Sequence, residues 1–187
     1  MKYLVAVILL IQAVARIPQT WSAEQYDADP DMVNVEVGSP DVIDIKLSID
    51  RIARGYHGIS GYFDIKQDID TDQVLMHAKI YRSYNRNKYQ NAVAAFEIRN
   101  QTLTSFLNKA FKQYVYDDAQ NCCTNVPQYE TFESPLTKRY IECTKCRFST
   151  EKWPNHLKNE LYTVAFMFHG NVNFNLNVTF LVEPPRY

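Results

Sequence analysis

Apolar and polar residues alternate along most of this chain, as they do in β-strands that bury one face. The clearest run is Ile43–Ile49, in which every second residue is apolar. Turn-forming residues such as Asn85-Arg86-Asn87 separate successive runs. The pattern predicts a mainly β fold built from antiparallel strands. Further alternating runs cover 59–69, 74–81, 89–98, 139–148, 161–169 and 172–182.

One segment follows a helical period instead. Its apolar positions recur at spacings of three and four, and Thr102 stands where a capping residue is favoured. The sequence therefore predicts one amphipathic helix of about three turns. The apolar positions are Leu103, Phe106, Leu107, Ala110, Phe111, Tyr114 and Val115.

The first residues have the pattern of a cleavable secretory leader. Lys2 precedes an uncharged apolar run, and Ala13-Val14-Ala15 supplies small residues at the positions that signal peptidase prefers. A second candidate cleavage point follows Ala23. The apolar run is shorter than the roughly 20 residues that span a bilayer. We therefore expect a signal peptide at 1–15, a secreted extracellular protein, and no transmembrane segment in the mature chain.

The rest of the chain is long enough for one domain. Cleavage after Ala15 leaves 172 residues with a formal net charge of −2. Neither this charge nor any lysine–arginine cluster indicates nucleic acid as a partner. We predict a flexible acidic lead-in at 16–31 and a single domain at 32–187.

Four cysteines follow the helix, and the oxidising secretory route favours disulfides among them. Cys122 and Cys123 are adjacent and are not expected to bond each other. This leaves two pairings open: Cys122–Cys143 with Cys123–Cys146, or Cys122–Cys146 with Cys123–Cys143. A zinc site and a redox pair are the less favoured alternatives, because the adjacent cysteines fit a zinc knuckle poorly and Cys146 leads into a strand.

Two tripeptides match the N-glycosylation signal. They begin at Asn100 and Asn177. A secreted chain would meet the modifying enzyme, so we predict a glycoprotein.

The sequence contains no recognisable catalytic or metal-binding motif. The four histidines are scattered, and Gly58-Ile59-Ser60-Gly61 lacks the spacing of a nucleophile elbow. We therefore predict a protein that is not an enzyme, has no catalytic or metal-ligating residues, and needs no cofactor.

Aromatic residues are abundant, with 13 Tyr and 10 Phe. They could fill a solid core, or several of them could line a cavity that accepts an apolar ligand. The candidates for such a pocket are Phe96, Phe106, Leu107, Phe111, Tyr114, Phe166, Phe168 and Phe174.

The C-terminal half resembles a known family. Two segments carry the resemblance: Phe148–Leu157, which contains the Trp153-Pro154 pair, and Phe166–Gly170, which leads into a hairpin with a short Gly-containing turn. Both resemble segments of the secreted insect chemosensory proteins CheA and CheB. That family is similar to the ganglioside-activator and ML-domain lipid-recognition proteins. The resemblance implies an Ig-like β-sandwich opened into a cup, with an apolar pocket between its sheets. The adjacent Cys122-Cys123 pair departs from the spaced cysteines expected there.

The aromatic residues, the leader and the resemblance favour a ligand carrier over a surface-acting interaction protein. The first hypothesis is a secreted carrier or recognition protein that binds a lipid or a hydrocarbon pheromone in chemosensation. The alternative is a secreted interaction protein with a filled core, which modulates a receptor or a sensory ion channel through its surface.

Overall fold

Two antiparallel sheets make up most of the computed structural model, which describes residues 26–83, 91–153 and 157–185. The five-stranded sheet has the order β1-β8-β7-β4-β5, and the three-stranded sheet has the order β2-β3-β6. The mainly β fold predicted from the alternation is confirmed. The strands are β1 (Asp27–Val37), β2 (Ile43–Ala53), β3 (Tyr56–Ile65), β4 (Val74–Ser83), β5 (Asn91–Thr102), β6 (Arg139–Cys146), β7 (Leu161–Gly170) and β8 (Phe174–Glu183).

The two sheets bury their apolar faces against each other. Ile43 and Ile45 from β2 share one core cluster with Val74 and Met76 from β4. The side chains of Val74 and Met76 are completely buried. The alternating strands therefore form a β-sandwich with its core between the layers.

A helical segment packs against the same core. It consists of α1 (Leu103–Phe106), a π-helical turn (Leu107–Phe111), α2 (Lys112–Tyr114) and α3 (Tyr116–Cys122). The predicted helix is confirmed as far as Tyr114. Val115, with a φ of −130°, interrupts it, and α3 then extends to the first cysteine.

The first strand, β1, was not among the strands predicted from the sequence. Residues 27–31 were predicted to belong to a flexible lead-in, but they lie in β1, and 27–30 pair with the end of β8. Asp29 is only 8% exposed. The segment is ordered because β8 pairs with it: Asp27 lies opposite Glu183, and Asp29 lies opposite Leu181. The predicted leader at 1–15 and the alternative cleavage point at Ala23 lie outside the described residues.

Gly61 allows β2 and β3 to approach closely. Its φ is +140°, a value that side-chain-bearing residues rarely adopt, and a Cβ at this position would lie 1.9 Å from the Lys46 carbonyl oxygen. This close pairing fixes the neighbouring Tyr62 on the outer face of the three-stranded sheet.

Candidate functional site

Four phenylalanines meet between the five-stranded sheet and α1. The ring centroid of Phe106 lies 6.1 Å from that of Phe166 and 6.5 Å from that of Phe168. Phe168 stacks on Phe174 at 4.1 Å. Strands β7 and β8 supply three of these rings and α1 supplies the fourth, so the cluster joins the helical segment to the sheet.

The cluster is not sealed from solvent on all sides. Phe106 and Phe168 are each 8% exposed, but Phe166 and Phe174 remain partly accessible although they pack against the core. Phe111, 6.1 Å from Phe106, is also only partly buried. Three of the five phenylalanines at this interface are therefore only partly buried.

The structure brings together most of the predicted pocket residues. Leu107 packs against the same cluster as the phenylalanines. Tyr114 does not join it, because its side chain is 39% exposed. Phe96 lies in β5, and its side chain is outside the described part of the structure.

A second group of aromatic residues extends the cluster into the loop after the helical segment. Phe111 lies 6.2 Å from Tyr116, Tyr116 lies 5.0 Å from Tyr129, and Tyr129 lies 5.2 Å from Phe132. Sequence reasoning did not find these residues. Tyr129 and Phe132 lie in an irregular loop, which has no period from which their burial could be inferred.

Hydrogen bonds hold this loop onto the helical segment. Asn108 donates to the Phe132 carbonyl at 2.9 Å and accepts from the Phe132 amide at 2.7 Å. The Tyr129 hydroxyl donates to the Leu107 carbonyl at 3.1 Å. Burial raises the pKa of Tyr129 to about 12, so its hydroxyl stays protonated and keeps this bond near neutral pH.

Two disulfides fasten the end of the helical segment to the three-stranded sheet. Cys122 pairs with Cys146, and Cys123 pairs with Cys143. This is one of the two pairings that the sequence left open, and it uses all four cysteines. The helical segment, which packs against the aromatic cluster, is thus covalently attached to β6 at its C-terminal end.

The two predicted glycosylation sites lie in different strands of the five-stranded sheet. Asn100 is exposed, with a φ of +41°, just before Thr102, which caps α1. Asn177 is partly buried in β8 between Asn34 of β1 and Ala165 of β7.

A shallow depression of about 350 Å³ lies apart from the aromatic cluster, where β1 meets the hairpin of β2 and β3. Asp29 accepts hydrogen bonds from the His57 backbone amide at 2.8 Å and, through its other oxygen, pairs with His57 Nδ1 at 2.6 Å. Because β1 and β3 belong to different sheets, this pair connects the two layers at the rim.

The part of the chain that the structure describes includes no helix that is long and apolar enough to cross a membrane. No protein-family model matches the chain, and no curated protein matches it either.

Proposed function

We propose that this chain is a secreted, non-enzymatic carrier or recognition protein for a hydrophobic ligand, a lipid or a hydrocarbon pheromone, and that it acts in chemosensation. One observation carries the proposal. Phe111, Phe166 and Phe174, which pack against the core next to the helical segment, are only partly buried, whereas a solid core would bury them.

The driving force is the removal of apolar surface from water. A ligand that buries about 300 Å² of apolar area against these rings would gain roughly 7 kcal/mol before the costs of ordering. Shape and apolar surface supply this energy, so the site needs no charged or nucleophilic side chain.

Other features support an extracellular setting. The leader pattern at 1–15 and the two disulfides both suit the oxidising secretory route. The resemblance to the CheA and CheB proteins adds a chemosensory context, and the two-layered β fold is compatible with the cup that it implies.

The first test is to identify what co-purifies with the protein. The chain is expressed in a secreting host, extracted with organic solvent, and examined by mass spectrometry. A stoichiometric fatty or hydrocarbon species is the expected result. Protein that is empty and also fails to take up a fluorescent fatty acid would contradict the proposal and favour the surface-acting interaction protein.

A pair of variants tests the position of the site. Phe111→Asp places a carboxylate beside Phe106 and should weaken uptake of the fluorescent fatty acid by at least about tenfold. Tyr114→Asp is the matched control, because Tyr114 lies in the same helical segment but is exposed. It should bind as the wild type does.

A third variant guards against misfolding of Phe111→Asp. Leu107→Trp keeps the interior apolar but adds volume next to the cluster. It should be secreted and should lose uptake of long acyl chains more than that of short ones. Unchanged uptake by both Phe111→Asp and Leu107→Trp would show that the ligand binds elsewhere.

A further inference from the structure

Two tyrosines, of which Tyr140 is exposed and Tyr62 is partly buried, stack on the outer face of the three-stranded sheet. Tyr62 of β3 and Tyr140 of β6 have ring centroids 5.4 Å apart and planes inclined by 25°. Tyr140 is 46% exposed, the largest value among the exposed large hydrophobic side chains of the described residues. Their neighbours Phe63 and Ile141 pack against the core, so the tyrosines point away from it.

The two tyrosines belong to two neighbouring rows of paired residues that cross the sheet, and three carboxylates lie in the same rows. One row runs from Asp44 through Asp64 to Tyr140, and the next runs from Lys46 through Tyr62 to Glu142. The Tyr62 hydroxyl donates to Asp44 at 3.1 Å, which holds the ring upright. We call the six residues of these two rows the tyrosine face.

The charge on the tyrosine face is unbalanced. Its three carboxylates stand against the single ammonium of Lys46. Within the described ranges, the carboxylates of Asp64 and Glu142 form no hydrogen bond or ion pair. Asp44 and Asp64 are directly opposite each other on adjacent strands, and like charges in that arrangement destabilise a sheet.

We propose that the tyrosine face docks a basic segment of a partner protein, which places a lysine or arginine side chain against the Tyr140 ring and between the carboxylates of Asp64 and Glu142. Charge complementarity determines the occupant. A cation gains both from the face of a tyrosine ring and from nearby carboxylates. Nucleic acids and anionic lipid surfaces carry the same sign of charge as the tyrosine face and would be repelled.

This surface is separate from the aromatic interior. Its side chains lie on the opposite side of the three-stranded sheet from the core, so partner binding here does not depend on the proposed ligand function. The two proposals can therefore fail independently.

The test uses the secreted full-length mature protein and two labelled peptides. One peptide alternates arginine with glycine, and its control has citrulline at every arginine position, which preserves the shape and removes the charge. We expect binding of the arginine peptide in fluorescence anisotropy, weakened when salt is raised from about 50 mM to about 500 mM. Equal binding of the citrulline peptide, or no binding of the arginine peptide, would overturn the proposal.

Substitutions on the tyrosine face locate the binding. Tyr140→Ala and Asp64→Asn should each weaken binding of the arginine peptide by about threefold. Glu133→Gln is the control, because Glu133 is an exposed carboxylate next to Phe132, which is hydrogen-bonded to Asn108 of the helical segment. It should bind as the wild type does. If Glu133→Gln weakens binding as much as Asp64→Asn does, the attraction is a property of the net charge, and the proposed site is wrong.

Stability separates a binding role from a structural one. Asp64→Asn removes one of two opposed like charges, so its midpoint of urea unfolding should be equal to or above that of the wild type. A loss of binding that accompanies a lower midpoint would instead assign Asp64 a structural role and contradict the proposal.

Discussion

Glu97 shows how one side chain organises its surroundings on the outer face of the five-stranded sheet. Its carboxylate pairs with Lys79 Nζ at 2.9 Å, and Arg99 Nε donates to it at 2.7 Å. His77 Nε2 lies 3.2 Å from the same carboxylate. The hydrogen bond from Arg99, followed by that from Lys79, lowers the pKa of Glu97 from 4.5 to about 2. The charged form of Glu97 therefore stabilises the folded protein.

The direction of the pH effect follows from this lowered pKa. The stabilisation is complete above the unfolded value of 4.5 and is lost as the pH falls towards about 2. In a titration followed by NMR, the Glu97 carboxyl should have its midpoint near 2. Arg99→Ala should raise that midpoint, because it removes the first donor.

The control for this titration is Arg51→Ala. The Arg51 guanidinium is exposed and donates to the Ala53 carbonyl, away from Glu97. Its removal should leave the Glu97 midpoint unchanged. An equal rise in both variants would mean that net charge, and not the local pair, sets the pKa.

Among the elements, α1 depends on a single capping residue. The Thr102 hydroxyl oxygen accepts a hydrogen bond from the Ser105 amide at 3.2 Å. Thr102 is also the third residue of the glycosylation signal that begins at Asn100. One hydroxyl thus serves both the start of the helical segment and the signal for modification.

Three substitutions separate these two roles. Thr102→Ala should lower the free energy of unfolding by about 1 kcal/mol and abolish any glycan at Asn100. Asn100→Gln should abolish only the glycan, and Thr102→Ser should retain both functions. The measurements are urea unfolding and the mass of the secreted protein. Full stability in Thr102→Ala, measured on deglycosylated samples, would show that the cap contributes nothing.

The sequence predicts most strands because alternation is a local signal. Ile43 and Ile45 can be assigned to a buried face without knowledge of their partners. The whole of β1 was missed, although Val33, Val35 and Val37 alternate with exposed residues in its second part. Its start has no such pattern, since Asp27 and Asp29 are acidic and their order depends on pairing with β8 and contact with His57. Long-range partners of this kind leave no trace in the local period.

The helical part of the site was predicted correctly only as far as the period held. Phe106 and Phe111 lie against the core, as the spacing indicated. The π-helical turn over Leu107–Phe111 includes one residue more than an α-helical turn, which changes the phase of the residues that follow. Tyr114 is consequently exposed and Tyr116 is buried, where an unbroken α-helical period would direct Tyr114 inward.

At the scale of the whole molecule, the two disulfides connect parts that the hydrogen-bonded sheets leave separate. They link the C-terminal end of the helical segment to β6, across sequence separations of 24 and 20 residues. Cross-links over such distances stabilise chiefly by restricting the unfolded chain.

Removal of either disulfide should therefore lower the free energy of unfolding by a similar, large amount. Cys122→Ala with Cys146→Ala, or Cys123→Ala with Cys143→Ala, should each lower the free energy of unfolding by about 3 kcal/mol. Peptide mapping without reductant should recover Cys122 joined to Cys146. A fragment that joins Cys122 to Cys143 would contradict the pairing.

The pairing of β1 with β8 has a consequence for the order in which the protein can form. Synthesis proceeds from the N-terminus, so β1 leaves the ribosome while the strand that will cover its edge has not yet been translated. Until β8 follows, the backbone groups of β1 in the five-stranded sheet have no partner strand, and an open edge of this kind can pair with other chains. The nascent protein thus depends on late completion of its sheet, and the acidic residues at the start of β1 discourage premature pairing with other chains during that interval.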